Sequence, residues 1–143
     1  MRKLIQGRLS VFKFENFKKY KDITHFITTK EGWVSGRKSR FTGDCESEYS
    51  EFRKELAISC ESDTSQFVFP RQTHSDHVVV VTSENENTIT DTDALITNES
   101  GLFICVQTAD CVPILLYDPQ KKVVAAIHAG WKGTISKIAL KTV

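Results

Sequence analysis

Cys111-Val112-Pro113-Ile114-Leu115-Leu116-Tyr117-Asp118-Pro119-Gln120-Lys121-Lys122-Val123-Val124-Ala125-Ala126-Ile127-His128-Ala129-Gly130-Trp131 is the stretch that decides the fold. Ile114 to Tyr117 and Val123 to Ile127 are apolar runs of strand length. Asp118-Pro119-Gln120-Lys121 between them is turn chemistry, with the proline ring fixing φ where a turn wants it. The stretch therefore predicts a β-hairpin. With Pro119 and Gln120 as loop centre, the pairing places Cys111 directly opposite His128 on one face, with Cβ atoms about 4.5–5.5 Å apart. A thiol and an imidazole at that separation can share a metal ion or a proton. A single bulged residue would turn one of them to the other face, and Pro113 points to an edge or a bulge.

Working outward, Phe26 to Thr29 reads as a strand leading into a loop over Lys30 to Gly36. Glu48 to Ile58 reads as a helix with Tyr49, Phe52 and Leu56 on one face and Ser47 as its cap. Phe67 to Phe69 is a short strand. Val78 to Thr82 is β-branched throughout and reads as a strand covered on both faces. Ala94 to Thr97 and Leu102 to Gln107 are further strands around the turn Asn98 to Gly101. Thr134 to Val143 reads as a terminal helix capped by Thr134. It carries no Gly, Asn or Pro stop signal: either the terminal helix frays there, or the chain is the front part of something longer.

The bulk numbers exclude several classes. Lys plus Arg total 19 against 18 for Asp plus Glu, so no basic stripe points to nucleic acid. The N-terminus carries no long apolar stretch, so neither a signal peptide nor a membrane span is expected, and the expected compartment is the cytoplasm. The 143 residues suit one modest domain. The four cysteines, Cys45, Cys60, Cys105 and Cys111, are too sparse for a secreted disulfide framework. Cys105 reads as core, and Cys45 and Cys60 have no evident partner.

Individual residues carry paired readings. His74 and His77, three apart in an extended segment, face opposite ways and do not serve one site together. Each alone reads as a loop histidine or as a ligand. Cys111 is either a buried inert thiol or a ligand set between Asp110 and His128. Gly130 and Gly133 permit close backbone approach, and the turn they form precedes a helix whose free N–H groups, with Lys132, suit an anion. A plain strand-to-helix turn is the other reading. Asp93 and Asp110 each serve as a turn residue, as a buried partner orienting a ligand histidine, or as an acid/base.

Gln72-Thr73-His74, Asp93-Ala94-Leu95-Ile96-Thr97, Thr108-Ala109-Asp110-Cys111-Val112-Pro113 and His128-Ala129-Gly130-Trp131-Lys132-Gly133 together resemble the YfiH family. It is also called DUF152, the laccase-domain or "polyphenol oxidase" purine nucleoside phosphorylases. The resemblance runs from about Phe26 onward. It implies an α/β (α+β) fold of mixed β-sheets flanked by helices. It implies a zinc site on His74, Cys111 and His128, with zinc favoured over copper. It implies phosphorolysis of adenosine, inosine, guanosine and methylthioadenosine, together with adenosine deamination. The partners it implies are purine nucleosides and phosphate. Asp110 and Asp93 are then the proton-moving candidates, and Gln72 and Lys132 the substrate-binding ones. Two rival readings stand beside it: a metal-free Cys111–His128 amide hydrolase, and a non-catalytic metal-binding remnant.

Two departures from the family pattern matter. Family members carry paired glycines in the N-terminal loop, where this chain has Gly32-Trp33 and then Arg37 to Thr42 in place of a small, Asn-containing stretch. Family members also run on for roughly another hundred residues, so this chain is expected to be a single YfiH-like domain incomplete at its C-terminus.

Overall fold

The computed structural model describes residues 1–33, 39–84 and 89–143, so part of the loop after Trp33 lies outside the described residues. The chain forms two compact units, residues 1–64 and 65–143.

In the first unit, β1 (Arg2–Gln6) and β2 (Leu9–Lys13) form an antiparallel hairpin, and β3 (Ile27–Thr28) adds to β2. Gln6 pairs with Leu9, so the turn has only two residues, and Gly7 supplies the positive φ of 58° that such a turn demands. The helix α1 (Ser50–Ser59) buries Phe52 and Leu56 as its period requires. It starts later than the sequence suggested because a separate 3-10 turn, Glu46–Glu48, precedes it. Ser47 is not its cap: that side chain meets the Cys45 thiol at 3.0 Å. Trp33, the departure from the paired-glycine pattern, is buried. Its ring packs edge-on against Phe41 (5.4 Å) and Phe52 (5.7 Å), and its indole N–H donates to the Thr29 carbonyl at 2.8 Å. The substitution makes Trp33 part of this unit's core.

The second unit is built on a four-stranded sheet. Its strands are β5 (Val78–Val80), β6 (Ala94–Thr97), β8 (Val112–Asp118) and β9 (Val123–Ala129), in the order β5-β6-β9-β8. β5 and β6 run parallel, and the other pairs are antiparallel. A second, two-stranded sheet pairs β4 (Phe67–Val68) in parallel with β7 (Phe103–Ile104). The pleat alternates along β6. Ala94 packs with Ile127 and with Ile138 of the terminal helix on one face, and Leu95 packs with Val68 and Val81 on the other. Mixed sheets with flanking helices are therefore what the sequence builds.

Three readings need correction here. β5 is an edge strand, and Val80 is 58 % exposed, so this run is not covered on both faces. The terminal helix is two pieces, α2 (Trp131–Ile135) and α3 (Ile138–Thr142), parted by Lys137 with φ of 61°. That left-handed residue re-aims the chain so that Ile138 is buried while Ile135 stays exposed. The first piece begins at Trp131, with Gly130 instead of Thr134 in the cap position, which places Gly133 inside it.

The hairpin exists, but its register differs from the two-residue-loop arithmetic. Asp118 pairs with Val123 and Pro113 with His128, which leaves a four-residue loop. The Asp118 carboxylate accepts the backbone N–H groups of Gln120 (2.8 Å) and Lys121 (3.0 Å), and Lys122 takes a left-handed φ of 56°. The slip is two residues, so parity is kept: Cys111 lies diagonal to His128 on the same face instead of directly opposite. β8 is the sheet's other edge, where Pro113 is tolerated. Among the described residues no helix is long and apolar enough to cross a membrane.

Candidate metal centre

Three separate segments of the second unit bring three donors together. His74 comes from the loop after the Arg71–Thr90 bridge, Cys111 from the residue just before β8, and His128 from the buried end of β9. Their candidate ligand atoms all lie within 4.8 Å of one another. The two imidazoles meet edge to face at 4.8 Å between centroids. His128 is buried, Cys111 half-buried and His74 exposed, so the cluster opens to solvent on the His74 side.

Gly130 makes room for this approach. A Cβ there would stand 3.0 Å from His74 Cδ2, 3.5 Å from Cys111 Sγ and 3.7 Å from His128 Cε1. The backbone at Gly130 is ordinary extended chain. The glycine is required for space, not for its conformational freedom.

Asp93 organises two of the donors. It is fully buried at the start of the β6 segment. Its Oδ1 accepts the Nδ1–H of His128 at 2.6 Å and the backbone N–H of His74 at 3.2 Å. Its Oδ2 accepts the N–H groups of Thr73 (3.2 Å) and Ser75 (2.7 Å) and the Ser75 hydroxyl (2.8 Å). Burial pushes its pKa up. Hydrogen bonds from His128, Ser75 and Thr73 outweigh burial and hold the carboxyl below its ordinary value, as an anion. A carboxylate only accepts, so His128 donates through Nδ1, and Nε2 is the nitrogen left for a ligand role. His74 sits at φ 61°, a left-handed backbone whose N–H points at Asp93. Of the paired readings of Asp93, the structure supports the buried partner of a histidine.

The remaining candidates take different positions. Asp110 is exposed next to Cys111. The Gln72 amide is engaged at both ends by Gln107: Nε2 donates to the Gln107 carbonyl at 2.9 Å, and Oε1 accepts the Gln107 N–H at 2.7 Å. Lys132 is exposed, with Nζ 5.7 Å from the ring of the exposed Trp131. His77 stays away from the cluster, paired through Nδ1 with Asp91 at 3.0 Å. Cys105 is half-buried instead of core, and Cys45 and Cys60 do have polar neighbours, Ser47 and Gln6. Sequence reasoning missed Ser75, Thr73 and Gln107. The hint was a pair of hydroxyl residues flanking His74, a composition suited to wrapping backbone around a carboxylate.

The donor set fits a catalytic-type metal site. Two imidazoles and one thiolate are the mixed N/S donors that zinc accepts, and three protein ligands with an open side leave a position for water or substrate. The glycine at the cluster's centre and the buried carboxylate behind His128 are the supports such a site needs.

Comparison with known proteins gives the family. Residues 24–143 match the family model described as multi-copper polyphenol oxidoreductase laccase. The chain is 32 % identical to a purine nucleoside phosphorylase of Bacteroides thetaiotaomicron, across 90 % of this chain and 53 % of that one. It is 37 % identical to an adenosine deaminase from an unknown prokaryotic organism, across 89 % and 54 %. Among solved structures, the hypothetical protein YfiH of Bacillus licheniformis superposes with a TM-score of 0.81 at 29 % identity, across 97 % of this chain and 56 % of that one. The chain thus spans about half the length of the curated relatives it matches. It belongs to this laccase-domain family, the YfiH or DUF152 proteins.

Proposed function

We propose that this chain carries the metal-binding part of an enzyme acting on purine nucleosides, by phosphorolysis and by adenosine deamination, with zinc held by His74, Cys111 and His128. The observation that carries the reading is the convergence of those three donors within 4.8 Å, with His128 fixed from behind by Asp93. Relatives named purine nucleoside phosphorylase and adenosine deaminase support the substrate class. Zinc, when bound, supplies a Lewis acid that lowers the pKa of water and polarises a substrate atom.

The chain's own residues supply the rest. Asp93 fixes the tautomer and orientation of His128. Its carboxylate already accepts five hydrogen bonds, so we assign it to positioning and assign proton movement to Asp110, exposed beside Cys111. The exposed side at His74 is where a nucleoside would enter. Lys132 offers a cation for phosphate.

One observation favours a second reading. Asp93, His128 and Cys111 also follow the order of a carboxylate–imidazole–thiol triad, which would serve acyl chemistry without metal. A single experiment separates the two. Protein purified without added ions is analysed for zinc, then incubated with adenosine or inosine with and without phosphate. In parallel, Cys111 alkylation is followed by peptide mapping before and after chelation. Zinc near one equivalent, lost in Cys111→Ser, with free base or inosine formed and Cys111 shielded until chelation, supports the proposal. Absence of zinc, with rapid Cys111 alkylation that ignores chelators, overturns it in favour of the triad.

A further inference from the structure

We infer that Gln72 is a positioning residue: its side-chain amide is the clasp that sets the Cys111 loop against the His74 loop, and so places the sulfur donor. The inference rests on the metal reading above.

Each of the three candidate donors is held by a different part of the fold. His128 is fixed by a seven-residue strand inside the sheet. His74 is tied to it by Asp93, which grips the imidazole of one and the backbone of the other. Val112 pairs with Ala129 beside His128, so the ladder reaches the residue after Cys111, but neither link holds the chain that leads into Cys111. That residue lies at the end of an irregular segment, 105–111, between the two-residue strand β7 and the edge strand β8. The link from the His74 side is Gln72. Its amide forms a two-way hydrogen-bonded ring with the backbone of Gln107, the side-chain equivalent of one step of a β-ladder. Gln72 stands two residues before His74, and Gln107 four before Cys111. The pairing spans 35 positions of sequence and joins two stretches that lack regular secondary structure. Both amide ends are used, so no other side chain reproduces the contact. Glu keeps an acceptor for the Gln107 N–H but sets a carboxylate oxygen against the Gln107 carbonyl. Asn is one methylene too short.

Two polar clasps therefore join three ligand segments. Asp93 fixes the nitrogen pair, and Gln72 braces the segment leading into Cys111 on the side that the β8–β9 ladder leaves unheld. Loss of the Gln72 clasp should leave nitrogen binding in place and weaken the thiolate contribution. Supporting partners of metal ligands typically change affinity by about 10–100-fold.

The test uses cobalt as a spectroscopic probe of the whole chain, because a thiolate–cobalt bond gives its own ultraviolet charge-transfer band. Wild type, Gln72→Ala, Gln72→Glu and Gln66→Ala are compared by cobalt titration and by hydrogen exchange of the 105–111 segment. Gln66→Ala is the control, since it removes another amide-to-backbone bond, an exposed one to the Gly101 carbonyl at 3.0 Å that lies outside the segment leading into Cys111. Gln72→Ala should lose most of the charge-transfer band and about tenfold or more in cobalt affinity. The 105–111 amides should exchange faster, Gln72→Glu should also fall below wild type because its carboxylate opposes the Gln107 carbonyl, and Gln66→Ala should keep the wild-type spectrum. A wild type with the band and a Gln72→Ala variant of equal band and affinity overturns the inference alone. So does equal loss in Gln66→Ala. A wild type with no thiolate band refutes the metal reading and takes this inference with it.

Discussion

Replacing Asp93 with Asn keeps the size and shape of the side chain and removes its charge. The outcome can be worked from the five donors that face it. If the new NH2 group occupies the Oδ2 position, it confronts the N–H groups of Thr73 and Ser75, and two donors are orphaned. If it occupies the Oδ1 position, only the His74 N–H is orphaned, because the His128 imidazole can answer by moving its proton from Nδ1 to Nε2. One orphaned donor costs about 1–3 kcal/mol, and the surviving bonds lose their charge assistance, so the second orientation wins at a total of about 2–4 kcal/mol. The protein should still fold. The relocated proton then occupies the nitrogen that faces the cluster, and zinc affinity should fall by about 10–100-fold or more. The assays are denaturant unfolding of the metal-free protein, competitive zinc titration, and long-range nitrogen NMR of His128 to read its tautomer. A variant that keeps Nδ1 protonated and binds zinc within about threefold of wild type would refute the reasoning, since it would show that the carboxylate does not set the tautomer.

Gly130→Ala should separate binding from folding. Its backbone is open to any residue, and the changes in cap preference and chain entropy are each about 1 kcal/mol or less and opposed in sign. The new methyl nevertheless lands 3.0 Å from the His74 ring, so thermal melting of the metal-free protein should hardly move while metal affinity drops, as a calorimetric titration would report. Leu95→Ala, fully buried in the second unit, should cost about 2–5 kcal/mol, whereas Val80→Ala on the exposed edge should change stability by less than about 0.5 kcal/mol in the same denaturant series. Asp118 gives the pH dependence: its carboxyl is held below the ordinary value by the N–H groups of Lys121 and Gln120. A depressed folded pKa means this contribution is complete above the unfolded carboxylate pKa and is lost as pH falls through the folded one. Amide shifts of Gln120 and Lys121 should therefore titrate on the acid side of ordinary aspartate, and Asp118→Asn should abolish that step.

The strands of the second unit were legible because their apolar runs are short and bounded by turn residues. The hairpin from Val112 to Ala129 is the clearest case. Its register was not, because local sequence does not show whether a turn of Asp-Pro-Gln-Lys closes over two residues or four. Here Asp118 caps the wider loop, and the decision rests on one carboxylate. The terminal helix was read as continuous because nothing in Ser136-Lys137-Ile138 is a breaker by type. The break comes from burying Ile138, a tertiary demand that overrides propensity. Exposure of Val80 likewise depends on strand order, to which a Val-Val-Val-Val run is blind. At the site, the three residues that converge could be named from sequence, and so could Asp93 as the partner of a histidine, one of its readings. The Gln72–Gln107 ring could not, since its partner is main chain and leaves no mark on residue identity.

The left-handed backbone at His74 sets fold against function at a single position. Holding an L-residue there costs about 1–2 kcal/mol, which Gly would escape and Asn would largely relieve. The sturdiest version of this loop is thus one that has surrendered its imidazole. Selection for robustness alone would replace this imidazole; on the proposed metal reading, that stabilising change would remove a donor.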